Sequence, residues 1–346
     1  MSSLALKTIP VWDAVGCVLS HDITRIVPGQ SKGPLFRKGH IIREEDIPAL
    51  LDVGKEHIYV FSLSDGFVHE DDAAKRLVQK LAGNNLETTE PKEGRSDLRA
   101  TCSGLLCVDV ELLNAVNSLG EITCASLHNL LPVSQGQVVA GTRIVPLVIE
   151  EAKLQAFEKL VTKPVIEVRP LAAKKVGLVS TGSEIAHGRI TDAFGPVLRK
   201  KFALLGSEIL DQRFPGDDIA SIAQAIVSFA NAGAEMICVT GGMSVDPDDN
   251  SPKAIREAGA EIICYGAPVY PGAMFLLAWL NGKAGRIPVL GLPGCVMYHK
   301  ASIFDIIVPR LLAGLEVTRE DIVALGHGGF CAQCANCRYP LCSFGK

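Results

Sequence analysis

Thr240, Gly241, Gly242, Met243 and Ser244, followed by Asp246, Asp248 and Asp249, are the residues best placed by type and spacing to do chemistry. Paired glycines let main-chain N–H groups approach a ligand with no Cβ in the way. The carboxylates behind them suit a hard cation, which takes oxygen ligands. Ser251 and Pro252 then supply an N-cap and a first-turn proline, so a helix starts there, and Gly259 ends it. The apolar run Met236–Val239 precedes the glycines and reads as a buried strand. Strand, glycine turn, acid cluster and helix start together fit a phosphate-bearing ligand with a divalent cation. The same pattern also suits an ordinary strand-to-helix loop, because short glycine motifs recur by chance.

Four further turns carry similar residue types: Thr181-Gly182-Ser183-Glu184, Asp217-Asp218, Pro271-Gly272 and Pro293-Gly294. Each follows an expected strand or precedes an expected helix. One of Asp217 and Asp218 is needed as a helix cap, and the other is expected at the rim. Asp248 reads as a solvated acid. Arg37, Lys38 and His40 form a basic loop that could meet an anion, although solvated loops of this kind are common. His128 has no partner motif and is given no role.

Cys331, Cys334, Cys337 and Cys342 give a C-x2-C-x2-C-x4-C run at the end of the chain. Four thiolates this close can wrap one metal or cluster. Zinc and an iron–sulfur cluster are the two candidates, and a reactive or disulfide-forming tail is the third reading. The tail has little apolar content and is expected to need a ligand to fold.

The elements that must position these residues follow from pattern. Of 346 residues, 48% are hydrophobic, 21% charged and 5% aromatic, which describes a globular protein with aliphatic cores. The net charge of −4 argues against a broad electrostatic grip on nucleic acid. No apolar run reaches the ~18 residues of a membrane span. The N-terminus lacks the features of a signal peptide, so a cytoplasmic location is expected. Residues 176–312 alternate strands with helices, which predicts a three-layer α/β/α unit around a mostly parallel sheet. Ligands bind such sheets at the carboxyl ends of their strands, so the five turns should converge on one rim. The expected organisation is a small mixed domain at 1–70, a mixed β-rich domain at 71–170, the α/β domain at 171–315, and the cysteine-rich tail at 316–346. Residues 25–40 read as a loop, 70–83 as an amphipathic helix, 84–98 as a surface connection and 163–175 as a linker. A final helix is expected to reach about Leu312.

The order Thr-Gly-Ser-Glu-Ile, Thr-Gly-Gly-Met-Ser, Tyr-Pro-Gly, Leu-Pro-Gly across 176–312 resembles the molybdopterin-binding domain of the molybdenum cofactor biosynthesis family. Gly241-Gly-Met-Ser-Val245 is similar to the Gly-Gly-Val-Ser-Val of molybdopterin molybdenumtransferases. Asp249-Asn-Ser-Pro-Lys-Ala254 is similar to the Asp-x-Thr-Pro-Glu-Ala of molybdopterin adenylyltransferases. The resemblance implies that the glycine turns receive the phosphate of molybdopterin or its adenylate. It implies Mg²⁺ held by Asp249 with Asp246, an acidic site at Asp217 or Asp218, with Asp218 assigned here, and hydrogen bonds from Ser183 and Ser244. It also implies molybdate as co-substrate and a dimer or trimer. Departures are present. Tyr270-Pro-Gly-Ala-Met274 stands where the transferases read Lys-Pro-Gly-Lys-Pro, and Leu292-Pro-Gly-Cys-Val296 where they read Leu-Pro-Gly-Asn-Pro. Residues 1–170 match neither the length nor the layout of the transferase front half. Three functions follow. The first is a Mg-dependent molybdenumtransferase. The second is a non-catalytic carrier, sensor or insertion chaperone for a molybdoenzyme, with the tail as its docking or redox element. The third is another kind of nucleotide-binding α/β protein.

Overall fold

The computed structural model describes residues 6–27, 31–61, 66–244, 246–247, 249–283 and 285–346. Contacts divide the chain into two units. The first takes residues 1–101, 108–127 and 135–167; the second takes 102–107, 128–134 and 168–346.

In the second unit a six-stranded sheet carries the site. Its elements in chain order are β1 (Lys175–Ser180), α1 (Phe194–Leu204), β2 (Glu208–Arg213), α2 (Ile219–Asn231), β3 (Met236–Thr240), α3 (Ser251–Glu257), β4 (Glu261–Tyr265), β5 (Leu276–Gly282), β6 (Gly285–Leu292), α4 (Cys295–Tyr298) and α5 (Ile303–Leu312). The strand order is β2-β1-β3-β6-β5-β4. β2, β1, β3 and β6 run parallel. β5 pairs antiparallel with both β6 and β4, so it alone runs against the others. The mostly parallel expectation holds, and the β5–β6 hairpin is the departure.

The residues of β3 are all buried, as a strand covered on both faces requires. Alternation sorts its side chains. Met236 and Cys238 join the core that packs α1 and α5, with Phe202, Phe304 and Ile307. Ile237 and Val239 join the core under α2 and α3, with Ile226, Phe229 and Ile255. Three layers follow directly.

The expected final helix is broken. Ser302 starts α5 afresh with a capping box to Asp305, whose carboxylate accepts the Ser302 amide at 2.8 Å. Pro309 lies inside α5 and has no N–H for the Asp305 carbonyl. The Tyr339 hydroxyl donates to that carbonyl instead, at 2.7 Å. The tail packs on the same core: Phe344 is also buried beneath α5.

In the first unit, Leu86–Thr88, Arg95–Ala100, Val138–Ile144 and Ile122–Ser126 form a four-stranded sheet. The helix Glu70–Leu81 buries Ala73, Leu77, Val78 and Leu81, the face expected from their spacing. Two loop expectations fail. Ile23–Val27 and Ser31–Phe36 pair as antiparallel strands in the stretch read as a glycine-rich loop. Arg95–Ala100 is a strand in the stretch read as a polar connection, because its buried positions Ser96, Leu98 and Ala100 alternate beneath polar partners. Ile166–Pro170 is likewise a strand within the expected linker. Among the described residues, no helix is long and apolar enough to cross a membrane.

Candidate functional site

β3 ends at Thr240, and the chain turns at Gly241 with φ +83° and Gly242 with φ +56°. A Cβ on Gly241 would lie 2.5 Å from the Thr181 carbonyl oxygen. Glycine is required there on both counts. The Thr181 turn thus backs the central loop: the Thr181 amide donates to the Thr240 carbonyl at 2.8 Å. Ser251, buried at the start of α3, donates through Oγ to the Gly241 carbonyl at 2.8 Å. Tyr265 Oη donates to the carbonyls of Met243 (3.2 Å) and Ser244 (3.0 Å), fixing the far side. Burial pushes the Tyr265 phenol pKa up, and the neighbouring Asp249 carboxylate adds to the shift.

A cleft of about 490 Å³ opens in front of this loop. Gly241, Gly242, Met243, Ser244 and Asp249 line one side. Pro271 and Gly272, with Tyr270, line the second, and Pro293 and Gly294, with Cys295, the third. Phe194, from the start of α1, also faces it. Gly272 has φ +143°, and a Cβ there would lie 2.5 Å from the Ile303 Cβ, so this wall rests directly on α5. Met243 contributes main chain only in practice, since its side chain is buried and lies over Gly291.

Three of the five expected turns therefore line one cleft, and the Thr181 turn supports it from behind. Ser183 is tied to Asp217, whose carboxylate accepts the Ser183 amide (2.7 Å) and hydroxyl (2.6 Å). The Asn250 amide nitrogen donates to the Asp217 carbonyl at 3.1 Å, which links this turn to the start of α3. Thr181, Gly182, Ser183 and Glu184 are not among the residues lining the cleft, and Glu184 is exposed.

Asp218, expected as a catalytic acid, caps α2 instead. Its carboxylate accepts the Ser221 amide (2.8 Å) and hydroxyl (2.7 Å), which hold its pKa below the usual carboxylate range. Asp217 is the member of the pair that joins the Thr181–Glu184 turn to the start of α3. Asp246 is exposed and outside the cleft lining; its amide donates to the Asp249 carboxylate at 2.9 Å. Asp248 lies outside the described residues. Lys38 and His40, from the basic loop that could meet an anion, are paired internally, with Asp71 (3.0 Å) and Asp46 (2.6 Å).

Cys331, Cys334, Cys337 and Cys342 are free thiols that line a second cavity of about 310 Å³. Among the described residues, no three His, Cys, Asp or Glu side chains stand close enough to hold a metal ion. Tyr265, Phe194 and Cys295 escaped the sequence reading. Only the partial resemblance of Leu292-Pro-Gly-Cys-Val296 to the family's Leu-Pro-Gly-Asn-Pro pointed near Cys295, and nothing local marked the other two, because β4 and α1 meet the loop only in three dimensions.

Residues 177–313 match a family model described as a probable molybdopterin binding domain. This match agrees with the resemblance to the molybdenum cofactor biosynthesis family that the turns of residues 176–312 suggest. Residues 8–62 match a domain of unknown function. The chain is 28% identical over 297 residues to a molybdopterin molybdenumtransferase from Staphylococcus aureus strain MSSA476, covering 82% of this chain and 66% of that protein. It thus spans just under two thirds of the relative's length. An alignment over 82% of the chain is longer than residues 176–312 could supply, so likeness reaches into the front half, contrary to expectation. A molybdopterin molybdenumtransferase from Synechococcus elongatus is 27% identical over 53% of this chain and 45% of its own. Among solved structures, the tungsten cofactor synthesizing protein MoaB from Pyrococcus furiosus is 18% identical over 36% of this chain and 84% of its own, with a TM-score of 0.29.

Proposed function

We propose that this chain binds molybdopterin or its adenylate in the cleft at the carboxyl edge of the sheet, and that it acts there as a molybdenumtransferase in molybdenum cofactor biosynthesis. One observation carries the reading. Three separate turns and one carboxylate, Asp249, line a single cleft of about 490 Å³ in the unit that matches the molybdopterin-binding family.

The roles follow from chemistry. The Gly241–Gly242 and Gly272 turns offer main-chain N–H donors at a surface no Cβ obstructs, which suits phosphate oxygens. Tyr270 and Phe194 offer ring faces for the flat pterin. Among the described residues, Asp249 is the one carboxylate that lines the cleft. A carboxylate completed by waters and substrate phosphate is a donor set that fits Mg²⁺. When bound, that cation supplies polarisation of the phosphoryl group. Asp246, from outside the lining, would help through its amide, which orients the Asp249 carboxylate. Adenylated molybdopterin would be hydrolysed at its phosphoanhydride, with AMP leaving and molybdate entering the dithiolene.

One observation favours a second reading, a carrier or insertion chaperone for a molybdoenzyme. No Lys or Arg is among the described residues that line the cleft, so charge neutralisation of a leaving AMP rests on main chain and cation alone. Incubation with adenylated molybdopterin, molybdate and Mg²⁺ separates the two. The transferase reading expects AMP release that needs the metal. Tight pterin binding with no AMP release makes the protein a carrier, and absence of both removes the proposal.

A further inference from the structure

The tail is fastened to the fold at Tyr270, at α5 and in the core beneath it, where Cys331 and Cys342 also pack while Cys334 and Cys337 do not. The Tyr270 amide donates to the Gly329 carbonyl at 2.7 Å, and the Cys331 amide donates to the Tyr270 carbonyl at 2.8 Å. The Phe330 ring lies 6.3 Å from that of Tyr270. Beyond the cysteines, Tyr339 is held on α5 through the Asp305 carbonyl, and Phe344 is buried beneath it. Between these anchors residues 332–338 form neither helix nor strand, and Cys334 and Cys337 are exposed.

All four thiols nevertheless line one cavity, together with His299. Lys300 and Arg338 line it too. Four thiolates around a divalent cation carry a net charge of −2, and two basic side chains at the rim offset it. Zinc–thiolate bonds of ~2.3 Å require sulfur atoms about 3.8 Å apart. Among the described residues no three such groups stand close enough to hold a metal ion. The anchored ends fix Cys331 and Tyr339, so the exposed middle is the part free to close.

We propose that Cys331, Cys334, Cys337 and Cys342 form a site for one thiophilic divalent cation, with His299 as the alternate donor, and that filling it stiffens the Tyr270 wall of the cleft. Metal binding draws Cys334 and Cys337 inward and orders residues 332–338, so binding free energy becomes local folding free energy. The strain-bearing link is Cys331, whose amide is bonded to the carbonyl of a cleft-lining residue. The other end of the cavity is walled by Tyr298–Ala301, which follow directly on the Leu292–Cys295 turn. One wall of the cleft thus continues along the chain into the thiol cavity, and a second is hydrogen-bonded to it. The inference does not depend on what the cleft binds.

The test uses the full chain, stripped of metal under reducing conditions and titrated with Zn²⁺ against a chromophoric chelator. One equivalent should bind. Cys334→Ser and Cys337→Ser, both exposed and so harmless to packing, should each weaken binding by more than about 100-fold, since even outer partners of zinc ligands are worth 10–100-fold. Cys102→Ser, outside the cavity lining, should bind as the parent does. Hydrogen exchange should slow on zinc addition in residues 331–338 and also in 266–274. No stoichiometric zinc, or unchanged affinity in the serine variants, overturns the site. Iron with acid-labile sulfide in anaerobically isolated protein overturns the single-ion assignment. Protection confined to the tail overturns the link to Tyr270.

Discussion

The cleft and the thiol cavity are joined by the chain at 292–301 and by the Cys331–Tyr270 hydrogen bond, yet they are built in opposite ways. The cleft is made of main chain. Its donors sit on turns whose geometry is fixed by β3, β6 and the helices behind them, and its side chains are few. The thiol cavity is made of side chains on an irregular segment pinned at both ends. A backbone site is complete before its ligand arrives. A side-chain site of this kind is completed by its ligand. The difference explains why one cavity presents its expected turns together and the other presents its four thiols apart.

The comparison can be broken first at Gly272. Val at this position puts carbon atoms into Ile303 from a backbone at φ +143°. A loss of about 3 kcal/mol in urea unfolding is expected, the upper range for overpacking, together with loss of pterin binding. A milder loss means the wall is not seated on α5 as described. Asp249→Ala comes next. The fold should survive, because Asp249 is only half-buried, while metal-dependent AMP release should fall about 100-fold or more. A carrier would show no change beyond affinity.

Tyr339→Phe tests the tail alone. It leaves the Asp305 carbonyl without its donor at the Pro309 break and should cost about 1 kcal/mol, with cleft binding preserved. The smallest effect is expected from Asp218→Ala, read by thermal melting. Its carboxylate pKa is lowered in the fold by Ser221, so the cap contributes fully above the unfolded carboxylate pKa of about 3.9 and is lost as pH falls through the folded value. The variant should therefore melt lower than the parent at pH 7 and converge with it in acid, with ligand binding unaffected. Asp217→Ala should do the reverse, releasing Ser183 and weakening binding more than stability.

What was legible in the sequence follows the same division. β3 announced itself because a strand covered on both faces is an unbroken apolar run, and Gly241 and Gly272 announced the turns because only glycine fits there. The rim was readable from the alternation of strands and helices. The choice between Asp217 and Asp218 was not, since both carry the same side chain and only φ, ψ at the start of α2 decides which one caps. The strands at 23–36 and 95–100 were hidden by Gly, Pro and charged residues that a half-exposed strand tolerates on its open face. Tyr265 was invisible for another reason: its hydroxyl reaches the Met243–Ser244 carbonyls from a strand far along the chain. Spacing in the cysteine tail correctly marked four thiols around one space, but spacing carries no information on whether they meet without a ligand.

Hydrogen exchange on the intact protein with and without molybdopterin tests the central claim most directly. The account predicts slowed exchange at 240–250, 269–274 and 292–297 together, at one pterin per chain. Protection at a single one of these turns, or at a surface elsewhere while all three exchange unchanged, would contradict it.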